Sequence, residues 1–260
     1  MSALASRMEG SRTAFPGKGV CSDGRQAHSF HGEELASRRE RIAVSGRLQP
    51  YAARLADGVA ALGLALPQET IERLLAFGEL LLKWNKVYNL TAIRNPQELI
   101  THHLLDSLAV LPQLKAVNRL ADIGSGGGLP GVVLAIVRSG LVVSSIETVG
   151  KKASFQQQAK IELGLGNFTV LNRRVEQVLP DALPGGTPEG VISRAFSSLA
   201  DFVTLSGHLV AEGGALYAMK GVDPVDEVAA LPAGWVLAGT HALTVPGLGA
   251  ERHLLVIRRA

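Results

Sequence analysis

The segment Arg119-Leu120-Ala121-Asp122-Ile123-Gly124-Ser125-Gly126-Gly127-Gly128-Leu129-Pro130-Gly131 decides the fold. Its first five residues form a short, mostly apolar run of the kind that becomes a buried strand. The glycine cluster that follows suits a loop whose backbone adopts positive φ and approaches a neighbour or ligand closely. Beyond it, residues 129–139 read as a helix. Strand, glycine loop and helix in that order put backbone N–H groups at the carboxyl end of a strand, where open α/β sheets bind their ligands.

Reading toward the C-terminus, Leu141–Ile146, Phe168–Leu171, Gly190–Ser193 and Ala215–Met219 are further strand-like runs, with helical stretches at 150–163 and 198–211 between them. This β-α-β-α rhythm predicts a mostly parallel sheet covered by helices on both faces. The runs Trp235–His241 and Arg252–Ile257 follow each other with no helix between them and complete seven strands as an antiparallel edge hairpin.

Toward the N-terminus the pattern is helical. Leu55, Val59 and Leu62 recur at helical spacing up to Gly63. Pro67 opens a second helix with Ile71, Leu74, Leu75, Leu81, Trp84 and Tyr88 on one stripe. Asn95-Pro96-Gln97-Glu98 reads as an N-cap, a first-turn proline and a capping-box acid, starting a third helix that runs to about Leu111. Residues 50–115 are therefore expected to form a helical cap packed on the domain that follows, residues 116–260 a Rossmann-like domain, and residues 1–48 a disordered extension.

Composition narrows the functional classes. Of the 26 basic and 23 acidic residues, 8 and 5 lie in residues 1–48, which leaves 18 of each sign in the remaining 212. Any nucleic-acid contact of the folded part must then come from a local patch. The single cysteine, Cys21, excludes an intramolecular disulfide and a cysteine-rich zinc site. With no signal-peptide pattern and no apolar run long enough to span a bilayer, the expectation is a cytoplasmic protein without a membrane partner.

Glu147 ends the second strand, 23 residues after Gly124. A carboxylate there can accept both hydroxyls of an adenosine ribose, so loop and acid together read as a nucleoside site. Gly126-Gly127-Gly128-Leu129-Pro130-Gly131 also matches the dinucleotide pattern G-x-G-x-x-G, but the strand would then have to run through Gly124 to Ser125. The tighter spacing Asp122, Gly124, Gly126, Gly128 directly after Leu120-Ala121 suits S-adenosylmethionine better. His103 and Asp106 fall on adjacent helical turns, a pair that could orient a base or water, or fasten the cap to the sheet. No third ligand of suitable spacing accompanies them, so no metal is expected.

Several collinear stretches carry a closer resemblance. Lys83-Trp84-Asn85-Lys86-Val87-Tyr88-Asn89-Leu90-Thr91, His103-Leu104-Leu105-Asp106-Ser107, Gly126–Gly131, Arg174-Val175-Glu176, Ile192-Ser193-Arg194-Ala195-Phe196, Tyr217-Ala218-Met219-Lys220-Gly221 and Glu251-Arg252-His253 resemble the RsmG family, also called GidB. The resemblance spans about Tyr51 to Arg258. It implies a class I methyltransferase that uses S-adenosylmethionine to methylate guanine N7 in 16S ribosomal RNA of the bacterial small subunit.

On that resemblance Gly124 and Leu129 contact the cofactor, Val175 and Glu176 flank its adenine, and Arg194 stands beside the methyl-donor site. Glu147 occupies a position where the family commonly has an aspartate. Lys83, Lys86 and Arg94, with the amides of Asn85 and Asn89, become RNA contacts. Trp84 and Tyr88 continue the apolar stripe; Trp84 reads as core, while Tyr88 fits core and base stacking equally. If the sheet topology holds, Lys220, Arg173, Arg174, Lys151 and Lys152 lie on the same rim. Arg194, His103 and Asp106 are the candidate catalytic residues, and a monomer is expected. The alternatives are a methyltransferase of a small molecule or protein, and a non-catalytic nucleotide-binding domain. The sequence holds no Asn-Pro-Pro-Tyr or Pro-Cys motif of common DNA methylation.

Overall fold

The computed structural model describes residues 46–194, 196–222 and 225–260. The expected extension 1–48 lies outside the described residues except at its end. There the boundary moves: Leu48 is fully buried, and a side chain added at Gly78 would strike it, so the packed core already includes this residue.

Seven strands form one sheet in the order β3-β2-β1-β4-β5-β7-β6. They are β1 Arg119–Ile123, β2 Val142–Ile146, β3 Phe168–Leu171, β4 Gly190–Arg194, β5 Ala215–Lys220, β6 Trp235–Ala242 and β7 His253–Arg259. The first five run parallel, and β7 is antiparallel to both β5 and β6. Strand order reverses between β1 and β4, so the crevice at their carboxyl ends is the topological switch point. Asp122 of β1 is level with Ser145 of β2 and Ile192 of β4. Gly124, Glu147 and Arg194 consequently leave the sheet at the same end.

Helix α1 (Ala52–Ala61) ends where Gly63 takes φ +71°, a backbone state costly for any side chain. Pro67 is the N-cap of α2 (Gln68–Tyr88). The third helix, α3, starts as the sequence predicts: the Asn95 side chain accepts from the N–H groups of Gln97 and Glu98, and Pro96 fills the first turn. It continues through Pro96–Leu99, a π-helical stretch Ile100–Leu105, and Asp106–Leu108. A π stretch widens the helix by one residue per turn and recurs at functional sites.

In the sheet region α4 is Gly131–Val137, α5 Gly150–Glu162, α6 Leu199–Ser206 and α7 Val225–Ala229. The last was not expected, since five residues carry no usable period.

Cap and sheet share one core. Leu81 and Leu104 of the cap belong to the same buried cluster as Leu134 of α4 and Phe155 of α5. Phe77 of α2 meets Phe155 at 6.2 Å between ring centroids, and Trp84 meets it edge-on at 5.7 Å. The opposite face of the sheet buries Val191 and Leu216 against Leu199 and Phe202 of α6. Residues 46–260 thus make one compact unit, in which the cap is a layer rather than an appendage.

Candidate active site

The glycine loop divides into two kinds of glycine. Gly124 and Gly126 have φ of +64° and +56°; a Cβ at Gly124 would meet nothing within 4 Å, and one at Gly126 only a carbonyl oxygen 4.0 Å away. They leave bare backbone open to the crevice, a cradle that any side chain would fill. Gly127, Gly128 and Gly131 face protein, against Leu81, Val132 and Asp122 respectively. The open part fits a nucleoside ligand that needs close backbone approach, and the packed part fixes the loop's shape.

Asp122 lies beneath the loop, fully buried. Its Oδ2 accepts from the Gly131 N–H at 2.7 Å at the start of α4, while Oδ1 has no partner among the described residues. Burial pushes its pKa up to about 7 against the opposing pull of the Gly131 N–H. The residue therefore sits below the crevice and shapes the loop.

Glu147 is also buried and holds the same loop: Oε2 accepts from the Gly126 N–H and Oε1 from the Val149 N–H, each at 2.8 Å. Each carboxylate oxygen keeps a further lone pair for a ligand. Gln156 of α5, which drew no attention in the sequence, closes the arrangement. Its amide donates to the Ser125 hydroxyl and the Gly126 carbonyl, both at 2.8 Å, and its Oε1 accepts from Ser145 of β2 at 2.5 Å. A mid-helix glutamine gives no sequence signal, because its partners come from two other elements.

Leu129 could meet a cofactor only through its carbonyl. Its side chain lies in the core, and its N–H donates to the Ser125 carbonyl. Neither is available to a cofactor. Val175 is likewise buried, whereas Glu176 is exposed in the 3-10 turn Val175–Gln177 that follows β3, 3.5 Å from Arg174.

At the same end of the sheet a cleft of about 470 Å³ opens between α3, the 91–93 segment and the ends of β4, β5 and β7. Arg194, His103 and Asp106 line it together. The His103–Asp106 pair anticipated from spacing does not form. Asp106 instead takes two arginines, with Oδ2 at 3.1 Å from Arg194 Nη1 and Oδ1 at 2.9 Å from Arg252 Nε. Its side chain is only 2% exposed, so both bonds are shielded from water. Arg194 Nη1 also donates to the His102 carbonyl at 3.1 Å. These contacts tie the cap helix α3 to two strands of the sheet. Arg252 lay within a motif of the family resemblance but carried no assigned role.

His103 stays beside this junction, its Nδ1 3.5 Å from Arg194 Nη1, but takes other partners. Its Nδ1–H donates to the His102 carbonyl at 2.9 Å, which leaves Nε2 to accept from the Thr91 hydroxyl at 2.7 Å. Burial, reinforced by the Arg194 charge, lowers its pKa to about 3. The imidazole is neutral at physiological pH. Thr91 belongs to a segment that Asn85 fastens from α2: Asn85 donates to the Ile93 carbonyl and accepts from the Thr91 N–H, each at 3.0 Å. Asn85 is buried, so its amide is spent on this loop and not on RNA.

The proposed RNA contacts separate in a similar way. Lys83, Lys86 and Arg94 are exposed around the end of α2, and Asn89, in the left-handed region at φ 50°, accepts from Arg94 at 2.9 Å. Tyr88 is 39% exposed and stacks at 5.2 Å on the half-buried Trp84. Lys220 lines the cleft with its charge paired: its ammonium donates to both oxygens of Glu227, at 3.0 and 2.8 Å, and to the Phe196 carbonyl, which links β5 to α7. Among the described residues no cluster of three His, Cys, Asp or Glu side chains could hold a metal ion, and no helix is long and apolar enough to cross a membrane.

With β7 set antiparallel between β5 and β6 beside five parallel strands, the fold is that of the Rossmann-like class I methyltransferases. The family model GidB, described as rRNA small subunit methyltransferase G, matches residues 70–255. A ribosomal RNA small subunit methyltransferase G from Azoarcus sp. (strain BH72) is 76% identical over 212 residues, covering 82% of this chain and 98% of the relative. Its counterpart from Aromatoleum aromaticum is 60% identical, covering 80% and 99%. The one from Burkholderia thailandensis is 47% identical, covering 86% and 97%. The chain belongs to the rRNA small subunit methyltransferase G family.

Proposed function

We propose that this protein transfers the methyl group of S-adenosylmethionine to N7 of a guanine in 16S ribosomal RNA of the bacterial small subunit. The observation that carries the reading is an open glycine cradle after β1 at the same sheet end as a cleft lined by Arg194, His103 and Asp106, with Arg194 ending β4, the strand beside β1. Gly124, Gly126 and Glu147 would hold the nucleoside part of the cofactor, and Glu176 the region of its adenine. When bound, S-adenosylmethionine supplies an electrophilic methyl group.

The cleft residues suit an acceptor that needs no activation. Guanine N7 carries a free lone pair, so attack requires no general base, and His103, held neutral and bonded at both ring nitrogens, is not poised to be one. What the chain must supply is alignment, which is worth several kcal/mol when the reacting atoms are held in line. The Asp106–Arg194–Arg252 junction gives the cleft a rigid wall for that purpose.

The test is to incubate the protein and labelled S-adenosylmethionine with small subunits, naked 16S RNA or a pool of small metabolites. Label recovered as 7-methylguanosine from digested RNA supports the reading. Label on another base atom, or in the metabolites alone, overturns it.

A further inference from the structure

The two arginines on Asp106 hold more hydrogen-bonding capacity than the protein uses. Among the described residues Arg194 engages only Nη1, and Arg252 engages Nε and Nη1. Nε and Nη2 of Arg194 and Nη2 of Arg252 are left for a ligand. Both side chains are about a quarter exposed, at 23% and 25%, and both line the cleft. Two guanidinium groups against one carboxylate leave one positive charge in excess there, since Lys220 is offset by Glu227. Such a site calls for an anion.

We propose that Arg194 and Arg252, held as a pair by Asp106, clamp a backbone phosphate of the RNA next to the target nucleotide, and that Asp106 is a positioning residue. The proposal rests on the RNA reading above. Guanine itself is the poorer ligand for these groups. An arginine most often grips guanine at O6 and N7, but N7 must keep its lone pair free, and methylation leaves the ring positively charged. A guanidinium on that edge would cover the nucleophile and oppose the charge that develops. A phosphate accepts from both arginines without either conflict.

The cofactor's carboxylate is the other oxyanion within reach of this chemistry, and the experiment separates the two sources. Binding of the full chain to 16S RNA is measured against salt concentration, and binding of S-adenosylhomocysteine by calorimetry, for wild type, Arg252→Gln and Asp106→Asn. Arg252→Gln keeps Asp106 paired with Arg194. It should weaken RNA binding about tenfold at low salt. It should also lower the slope of log affinity against log salt, by up to about 0.7 for one single-stranded phosphate, with S-adenosylhomocysteine affinity unchanged.

Asp106→Asn gives a test of sign. It raises the charge of the site, so a carboxylate that only offset charge would yield tighter RNA binding on its removal, whereas loss of positioning yields weaker binding. Tighter binding by a folded Asp106→Asn variant overturns the positioning role. Should that variant not fold, Arg252→Gln decides the clamp alone. An unaltered salt slope in Arg252→Gln, or a fall in its S-adenosylhomocysteine affinity, overturns the clamp while the RNA reading stands. Wild type that binds neither 16S RNA nor small subunits overturns both.

Discussion

At the residue scale two buried titratable groups pull the stability in opposite directions with pH. Asp122 has its folded pKa raised to about 7, so its contribution is fully present below the ordinary carboxylate range near 4 and is lost as pH rises through about 7. His103 has its folded pKa lowered from 6.5 to about 3, so its contribution is fully present above about 6.5 and is lost as pH falls toward 3. Between about pH 4 and 6.5 the two slopes oppose each other. Asp122→Asn removes one of them. Relative to wild type, this variant should gain up to about 1.4 kcal/mol per pH unit as pH rises from 4 to 7, read from urea midpoints at several pH values. A difference that stays constant with pH would show that Asp122 does not titrate in this window. Glu147→Ala makes a second case: it strips the acceptor from the Gly126 and Val149 N–H groups. It should cost about 1–3 kcal/mol of stability and at least tenfold in S-adenosylhomocysteine affinity by calorimetry; unchanged affinity would reject its role toward the cofactor.

At the element scale the sequence was legible wherever a signal is local. Strand β1 and the glycine loop follow from one contiguous stretch, and Asn95-Pro96 states the start of α3 with a cap and a fixed φ. What escaped depends on distance along the chain. Arg252 reaches Asp106 across 146 positions, and Gln156 reaches Ser125 across 31, so no period or motif could mark either bond. The π stretch in α3 escaped too, because a helix with one extra residue in a turn keeps an apolar pattern close to that of an ordinary one. The helical pattern over residues 50–115 marks a cap without saying which of its side chains meet the sheet layer. Phe77 sits in α2 with no exposure and packs on Phe155 of α5, so the cap helix covers the sheet layer directly. Phe77→Ala should therefore cost about 3–5 kcal/mol and still melt in one transition. A calorimetric trace with two separated peaks, one unchanged from wild type, would instead make the cap an independently folding unit.

At the scale of the whole molecule the question is how a chain with balanced charge over residues 49–260 grips a polyanion. The structure points to sorting rather than excess. Glu189 pairs Arg119 and Glu227 pairs Lys220, which removes those cations from contention. Lys83 and Lys86 remain exposed near the end of α2, the helix that leads into the Thr91–Ile93 segment lining the cleft. Affinity for RNA depends on counterions released by phosphates that are actually contacted, about 0.7 in the salt slope per phosphate on a single strand. The double variant Lys83→Ala/Lys86→Ala should then lower the slope by about 1.4 and weaken RNA binding at low salt. Lys220→Ala should leave the slope unchanged and lose stability instead, because it strands Glu227 without its cation. Filter binding to 16S RNA between 50 and 200 mM salt, on the order of the range where such slopes are read, compares the two directly. Equal slopes for wild type and the double variant would remove α2 from the RNA interface. A slope that falls in Lys220→Ala would mean that the Glu227 pair opens when RNA binds, and that the cleft floor joins the interface only in the complex.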